Sequence, residues 1–283
     1  MNTSMLEVKN LSFSYGKRKA KVLEDFSLTL QKGSVYGLLG KNGTGKSTLL
    51  YLMAGLLRPQ QGNVIYKGME VIKRRPETLQ DMFLVPEEFA LPNVSLKQYV
   101  KLNAPFYPSF SEEILKACLR DFDMSDDIRL GELSMGQKKK AFMCFALATN
   151  TSLLMMDEPS NGLDIPSKSQ FRKVIASGMT DEKAVIISTH QVRDIDSLLD
   201  HIVIIDQSSV LLNASNAEIC RRLLFAELPM SEPTDGALFV QPSVTGNSAI
   251  LPNEYDEESR MNLELLFNGV LAEREKFAQV FNR

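Results

Sequence analysis

The chain has 283 residues, 44% of them hydrophobic and 24% charged, and a formal net charge of -3, values expected of a soluble globular protein with one large domain and an appendage. Ten acidic and four basic residues follow from Glu227 onward, so that segment carries -6 and residues 1–226 carry +3, neither part basic enough to argue for nucleic acid. Cys118, Cys144 and Cys220 are scattered, which argues against a disulfide framework or a C-x-x-C metal site and fits a reducing cytosol. "MNTSMLEVKN" does not read as a signal peptide, and the longest apolar run, "AFMCFALA" at 141–148, is far short of a membrane span.

In chain order, "MLEVKNLSFSY" and "KVLEDFSLTL" alternate apolar and polar residues around the turn-like "GKRKAK" and predict an antiparallel pair. "SVYGLLG" is a short buried strand that runs into a Gly-rich loop. "KSTLLYLMAGLL" follows, with apolar residues at 49, 50, 52, 53, 56 and 57 that predict a helix closed off by Pro59. "GNVIYKG" and "DMFLVP" read as strands. Residues 88–150 have helical spacing in "SLKQYVKLNA", "SEEILKACLRDF" and "SMGQKKKAFMCFALAT", an inserted helical region. "LLMMDE", "AVIISTH" and "HIVIID" are continuous apolar runs, as in parallel strands buried on both faces. Beyond Glu227, Pro-rich acidic segments bracket "ALFVQ" and "NSAILP", read as a small hairpin. The end, "MNLELLFNGVLAEREKFAQVF", sets Leu263, Leu266, Phe267, Val270 and Leu271 on one helical face, to lie on its own domain or between subunits.

Three stretches carry chemistry. "GKNGTGKS", Gly40 to Ser47, satisfies G-x-x-x-x-G-K-[ST] between a predicted strand and a predicted helix. Gly43 and Gly45 let backbone N–H groups curl around phosphate oxygens, Lys46 neutralises β/γ charge, and the Ser47 hydroxyl reaches Mg²⁺. Asp157 and Glu158 end a buried strand at the carboxyl edge where open α/β sheets bind ligands. There Asp157 can hold Mg²⁺ through water and Glu158 can orient or deprotonate an attacking water; alone, such a pair is also an ordinary strand end in solvent. His190 ends another strand at the same edge, within reach of a γ-phosphate or the water, or else is a capping or surface residue. His201 begins its strand and is expected to be catalytically silent.

In "LSMGQKKK", Ser134 and Gln137 form an S-x-x-Q capping box, yet Gly136 in the first turn disfavours helix by about 1 kcal/mol relative to Ala. Glycine is tolerated there if something approaches the backbone closely, and bare N–H groups make the helix start a seat for an anion. Lys138 to Lys140 read as a solvated helix face.

In this order the pieces resemble the ATP-binding cassette (ABC) ATPase family, from residue 5 to about 215. "GKNGTGKST" (Gly40, Lys41, Asn42, Gly43, Thr44, Gly45, Lys46, Ser47, Thr48) matches its Walker A motif and "LSMGQ" its LSGGQ signature. "LLMMDEP" matches Walker B, Ser160, Asn161, Gly162, Leu163 and Asp164 the D-loop, and His190 the switch histidine. The resemblance implies an α/β fold: a P-loop NTPase core with a mostly parallel sheet, an N-terminal antiparallel β-subdomain, an inserted α-helical subdomain and a small C-terminal α+β appendage. Residues 1–226 would form the ATPase domain, with the helical part at about 88–150, and 227–283 the appendage.

It further implies ATP and Mg²⁺ as cofactors, with Lys46, Glu158 and His190 in catalysis and Ser47 and Asp157 at the metal. Tyr15 stands where the family stacks an aromatic ring on adenine, or is an edge-strand side chain. In this family two cassettes pack head to tail, so Ser134, Gly136 and Gln137 would reach the partner's nucleotide. Two departures stand out. Met135 replaces the first signature glycine, and "FLVPEEFALP" lacks the Q-loop glutamine. Glu87 takes its place, a carboxylate that can bind Mg²⁺ or water but cannot donate as an amide does.

The function implied is that of an ATP-hydrolysing subunit of an ABC transporter. It would act as a homodimer or a heterodimer with a second ABC subunit, coupling closure to transport by separate integral membrane permease chains. It would sit in the cytoplasm, peripheral at the inner face of the cell membrane, and bind no nucleic acid. A permease helix would dock on "EEFALPNVSLKQY" and "FYPSF", unless these aromatics are subdomain core. A soluble ABC protein acting on ribosomes or DNA is the alternative, disfavoured by the single cassette and the mildly acidic balance. A non-hydrolysing regulatory module is another, against which Glu158 argues.

Overall fold

Alternating side chains build the first layer of the protein, whose computed structural model describes residues 4–16, 20–244 and 246–281. β1 (Leu6–Phe13) and β2 (Leu23–Leu30) pair antiparallel, with Leu6 opposite Leu30 and Val8 opposite Leu28. The turn expected between them at 16–21 lies partly outside the described residues. β3 (Ser34–Leu39) enters the interior and delivers the Gly-rich loop to α1 (Lys46–Met53). This helix stops short of Pro59, because Gly55 takes a φ of +68°. Its N–H bonds Leu52 O while that of Leu56 bonds Tyr51 O, the paired closure that a left-handed glycine gives a helix end.

β4 (Gln61–Tyr66) returns to pair with β1, and β5 (Met69–Glu70) completes a sheet of order β2-β1-β4-β5. α2 (Pro76–Leu79) leads to β6 (Met82–Val85). The helical region then forms as expected from spacing: α3 (Leu96–Asn103), α4 (Glu112–Asp121) and α5 (Met135–Ala148). Each starts on a serine, Ser95, Ser111 and Ser134, whose hydroxyl accepts a first-turn N–H.

β7 (Leu153–Asp157), α6 (Ile165–Gly178), β8 (Ala184–Thr189), β9 (His201–Asp206) and β10 (Ser209–Ser215) complete the core. The sheet order is β10-β9-β3-β8-β7-β6, parallel throughout except for the β10 edge. The apolar runs are continuous because both faces are covered. Leu153, Met155, Ala184 and Ile186 point into the core beneath the antiparallel sheet and α1. Leu154, Met156, Val185 and Ile187 point into the core shared with the helical region and the appendage. The mixed α/β architecture with a mostly parallel sheet is the one expected from sequence.

The C-terminal part differs in detail. α7 (Asn216–Arg222) leads to β11 (Leu223–Leu228), and β11 pairs along its whole length with β13 (Asn247–Pro252), which also pairs with β12 (Phe239–Pro242). The hairpin therefore has a third strand, and a boundary after residue 226 runs through it. The last apolar stripe forms two helices, α8 (Leu263–Ala272) and α9 (Arg274–Phe281), because Glu273 leaves helical geometry at φ -122°, ψ 50°. Leu263, Leu266 and Val270 are buried as anticipated, but Leu265 and Gly269 take the places expected of Phe267 and Leu271. α8 lies on β12, β13 and the core strands of its own chain.

Candidate functional site

The phosphate loop owes its shape to glycines in tight quarters. A Cβ on Gly40 would stand 2.6 Å from Thr44 Oγ1 and 2.7 Å from Ile205 O, so the chain can turn off β3 there only without a side chain. Gly45 caps α1 at φ +100° with no side-chain cap bond, which leaves the first-turn N–H groups free for an anion. Lys46 is buried. Its Nζ donates to Gly40 O at 2.8 Å and Lys41 O at 3.3 Å and lies 3.5 Å from Glu158 Oε1. Thr44 Oγ1 turns back to donate to Lys41 O. Tyr15 is more than half exposed. Its hydroxyl meets Thr48 Oγ1 at 3.0 Å and its ring stands edge-on to Phe13, 5.0 Å between centroids.

Register brings the acids to this loop. β8 sits between β3 and β7 with Leu39 opposite Thr189 and Asp157 opposite Ser188, so three strands end side by side at the carboxyl edge. Asp157 is buried; its Oδ1 accepts from Ser188 Oγ, while Oδ2 has no partner among the described residues. Glu158 turns off the strand at φ +45°. Its N–H is held by Ser188 O at 3.1 Å, Oε2 accepts from Thr189 Oγ1 at 3.1 Å, and Oε1 is 2.8 Å from His190 Nδ1. His201, by contrast, sits at the start of β9 against Asn213 Oδ1 and the Tyr36 ring, and burial pushes its imidazole pKa down.

A cavity of about 480 Å³ joins these groups. It is lined by Tyr15, Val22, Asn42, Gly43, Lys46, Ser47 and Thr48 on one side and by Glu87, Glu158, Asn161 and His190 on the other. Glu87 Oε1 accepts from Asn161 Nδ2 at 2.9 Å, and Asn161 Oδ1 accepts from Gln191. The rest of the 160–164 stretch has other duties. Ser160 and Leu163 are buried, Gly162 turns at φ +76°, and Asp164 caps α6 through Ser167 N–H. Hydrogen bonding from the Ser167 hydroxyl, and secondarily from its N–H, holds the Asp164 carboxyl below its usual range.

Ser134, Gly136 and Gln137 do not line this cavity. The capping box is complete, with Ser134 Oγ accepting from Gln137 N–H and Gln137 Oε1 from Ser134 N–H. Among the described residues a Cβ on Gly136 would meet only Gly162 O, at an ordinary 3.7 Å, so none of them demands glycine there. The lysine run is not a solvated face throughout. Lys139 is buried and donates to the carbonyls of Asn161 and Glu158, and Lys140 lies over the Phe122 ring. Burial pushes the Lys139 pKa down, against the pull of the Glu87, Glu158 and Asp157 carboxylates. Helical phase carried the missed signal, since Lys139 lies four residues before the buried Met143 on one face. Val22, Ser188 and Thr189 also went unread, although the last two stand directly before His190.

A family model described as "ABC transporter" matches residues 23–161. The ABC transporter ATP-binding protein NatA of Bacillus subtilis (strain 168) is 31% identical over 207 residues, spanning 70% of this chain and 84% of NatA. YtrB of the same organism, another ABC transporter ATP-binding protein, is 27% identical over 208 residues, 73% of this chain and 70% of YtrB. Among solved structures, an ATP-binding subunit of an ABC transporter superposes with a TM-score of 0.69 at 26% identity, covering 77% of this chain and 92% of that one.

Proposed function

The chain belongs to the ABC transporter family of ATP-binding proteins, and from that premise we propose that it binds and hydrolyses MgATP between two cassettes to drive a separate membrane permease. The observation that carries the reading is one carboxylate. Glu158 stands between Lys46 and His190 in the same cavity as the bare N-terminus of α1. A base held beside a phosphate seat is an arrangement for activating water against a phosphoryl group.

In this reading the N–H groups of residues 43–48 hold the phosphates. Lys46, now resting on loop carbonyls, turns to the β/γ oxygens, and Tyr15 covers the adenine. Glu158 takes the proton of the attacking water while His190 holds the carboxylate in place and contacts the γ-phosphate. The residues fit a hydrated Mg²⁺, because Asp157 Oδ2 is a buried carboxylate oxygen that no donor among the described residues satisfies. Ser47, Asp157 and Glu87 would hold the ion, which would supply charge neutralisation on the β and γ oxygens.

Ser134 and Gly136 would close over the nucleotide of a second cassette, a copy of this chain or a close relative. Ser134 Oγ accepts a bond within its own helix and keeps its proton to donate outward. Among the described residues no helix is long and apolar enough to cross a membrane. In this reading the permease is a separate chain and this subunit is peripheral at the cytoplasmic face. The test is purification from native membranes with assay of phosphate release. The expected result is MgATP hydrolysis and copurification of an integral membrane protein. A chain that never associates with one is not a transporter subunit.

A further inference from the structure

Lys139 stands apart from its two lysine neighbours, being only 9% exposed. It lines not the nucleotide cavity but the one beside it, with Glu87, Met135 and Asn161. Its Nζ donates to Asn161 O at 2.8 Å and reaches Glu158 O at 3.5 Å. Both carbonyls belong to the turn that Glu158 enters with φ +45°, a conformation that non-glycine residues keep only where the surroundings hold it. On one side the turn is held by Ser188, which accepts the Glu158 N–H. On the other it is held by Lys139. The same turn carries Asn161, whose side chain links Glu87 to Gln191. Lys139 itself sits on α5, one turn beyond Gly136, in the helix capped by Ser134.

We propose that Lys139 is a positioning residue that fastens the signature-bearing end of α5 to the backbone of Glu158 and Asn161, so that docking of that end on a partner's nucleotide sets the general base. The inference rests on the reading of Glu158 given above. The charge matters as well as the reach, since two backbone carbonyl oxygens accept from one ammonium whose charge the Glu87, Glu158 and Asp157 carboxylates favour. Glutamine keeps a donor but lacks the charge. Arginine keeps the charge and exchanges a point donor for a planar fork.

The test compares Lys139→Met, Lys139→Gln and Lys139→Arg in the full chain, reading kcat and KM for MgATP, affinity for a fluorescent non-hydrolysable ATP analogue, and thermal unfolding. Removal of a charged hydrogen bond that places a catalytic group should lower kcat about 10- to 100-fold in the Met and Gln variants. KM and analogue affinity should stay within about threefold, because ground-state binding is untouched. Lys139→Arg should retain at least about fivefold more activity than Lys139→Gln. If the Met variant unfolds, the Gln and Arg pair decides.

The proposal is overturned by a Gln variant within about twofold of wild-type kcat, by an Arg variant no better than Gln, or by a loss that tracks analogue affinity or unfolding temperature. Glu158→Gln on the same preparation separates the two levels. If it abolishes turnover while Lys139→Gln does not, only the positioning role fails. If the wild-type chain shows no turnover, or Glu158→Gln keeps it, the general-base reading fails and this inference with it.

Discussion

His190 Nδ1 lies 2.8 Å from Glu158 Oε1, and that same oxygen lies 3.5 Å from Lys46 Nζ. A single carboxylate oxygen is thus shared by the histidine at the end of β8 and the lysine at the start of α1. In the function proposed above, Glu158 is the group on which turnover would depend. Glu158→Gln keeps the shape and removes the base, and a general base is worth roughly 10²- to 10⁴-fold. Phosphate release should fall by that factor while binding of ATP and ATP-dependent dimers persist. Unchanged hydrolysis would falsify the base assignment.

Gly136 separates stability from activity. Its Cβ position is open, with Gly162 O at 3.7 Å the one neighbour among the described residues, and alanine in a helix is favoured over glycine by roughly 0.5–1 kcal/mol. Gly136→Ala should therefore raise the unfolding temperature or leave it unchanged. If a partner's phosphate must approach that backbone, the added methyl should lower turnover at least about tenfold. Full activity in a stabilised variant would remove the argument for a partner at this helix end.

Tyr15 meets the rest of the protein through its hydroxyl on Thr48 and its edge against Phe13, and is otherwise open to the cavity. Stacked aromatic contacts are worth about 0.5–1.5 kcal/mol, so Tyr15→Ala should weaken ATP and ADP alike by about threefold to tenfold. Tyr15→Phe keeps the face and should bind nearly as wild type. Titration with a fluorescent nucleotide distinguishes them, and equal losses in both variants would point to the hydroxyl instead.

Asp81 gives a pH-dependent prediction away from the nucleotide. Burial opposes its charge, but Lys67, Tyr66 and Ser152 all donate to it and together hold its carboxyl below the usual 3.8. These bonds tie the antiparallel sheet at β4 to the start of β7. A depressed folded pKa stabilises the protein above the unfolded value, and the gain is lost as pH falls through the folded one. Asp81→Asn should cost about 1–3 kcal/mol at neutral pH. That deficit should shrink below about pH 4. Urea melts at pH 7 and pH 3.5 read the difference, and an equal deficit at both would show that the charge is irrelevant.

The sequence by itself determined the parallel core and the placing of its chemistry. Runs such as 153–157 and 184–189 are apolar throughout because both faces are covered, and that pattern is local. Residues that follow such runs must emerge at the carboxyl edge, so the loop at 40–47, the acids at 157 and 158 and His190 could be assigned to one rim before any contact was known. The capped start of α5 at Ser134 was equally legible, since a cap needs only its own next three residues.

Tertiary structure decided what depended on distant partners. β11 forms because it pairs with β13, 19 to 29 residues away by register, and a six-residue stretch without clear alternation carries no local mark of that pairing. Lys139 is buried because carbonyls 19 and 22 residues further along the chain offer acceptors for its ammonium; without them the desolvation of a charge would keep it in water, where its composition alone would put it. Asn161 and Asp164 read alike as D-loop residues. Only the fold shows that one bridges Glu87 to Gln191 while the other caps α6. Local pattern sets which residues turn inward, but the satisfaction of a buried polar group is settled by whatever the rest of the chain brings within hydrogen-bonding distance.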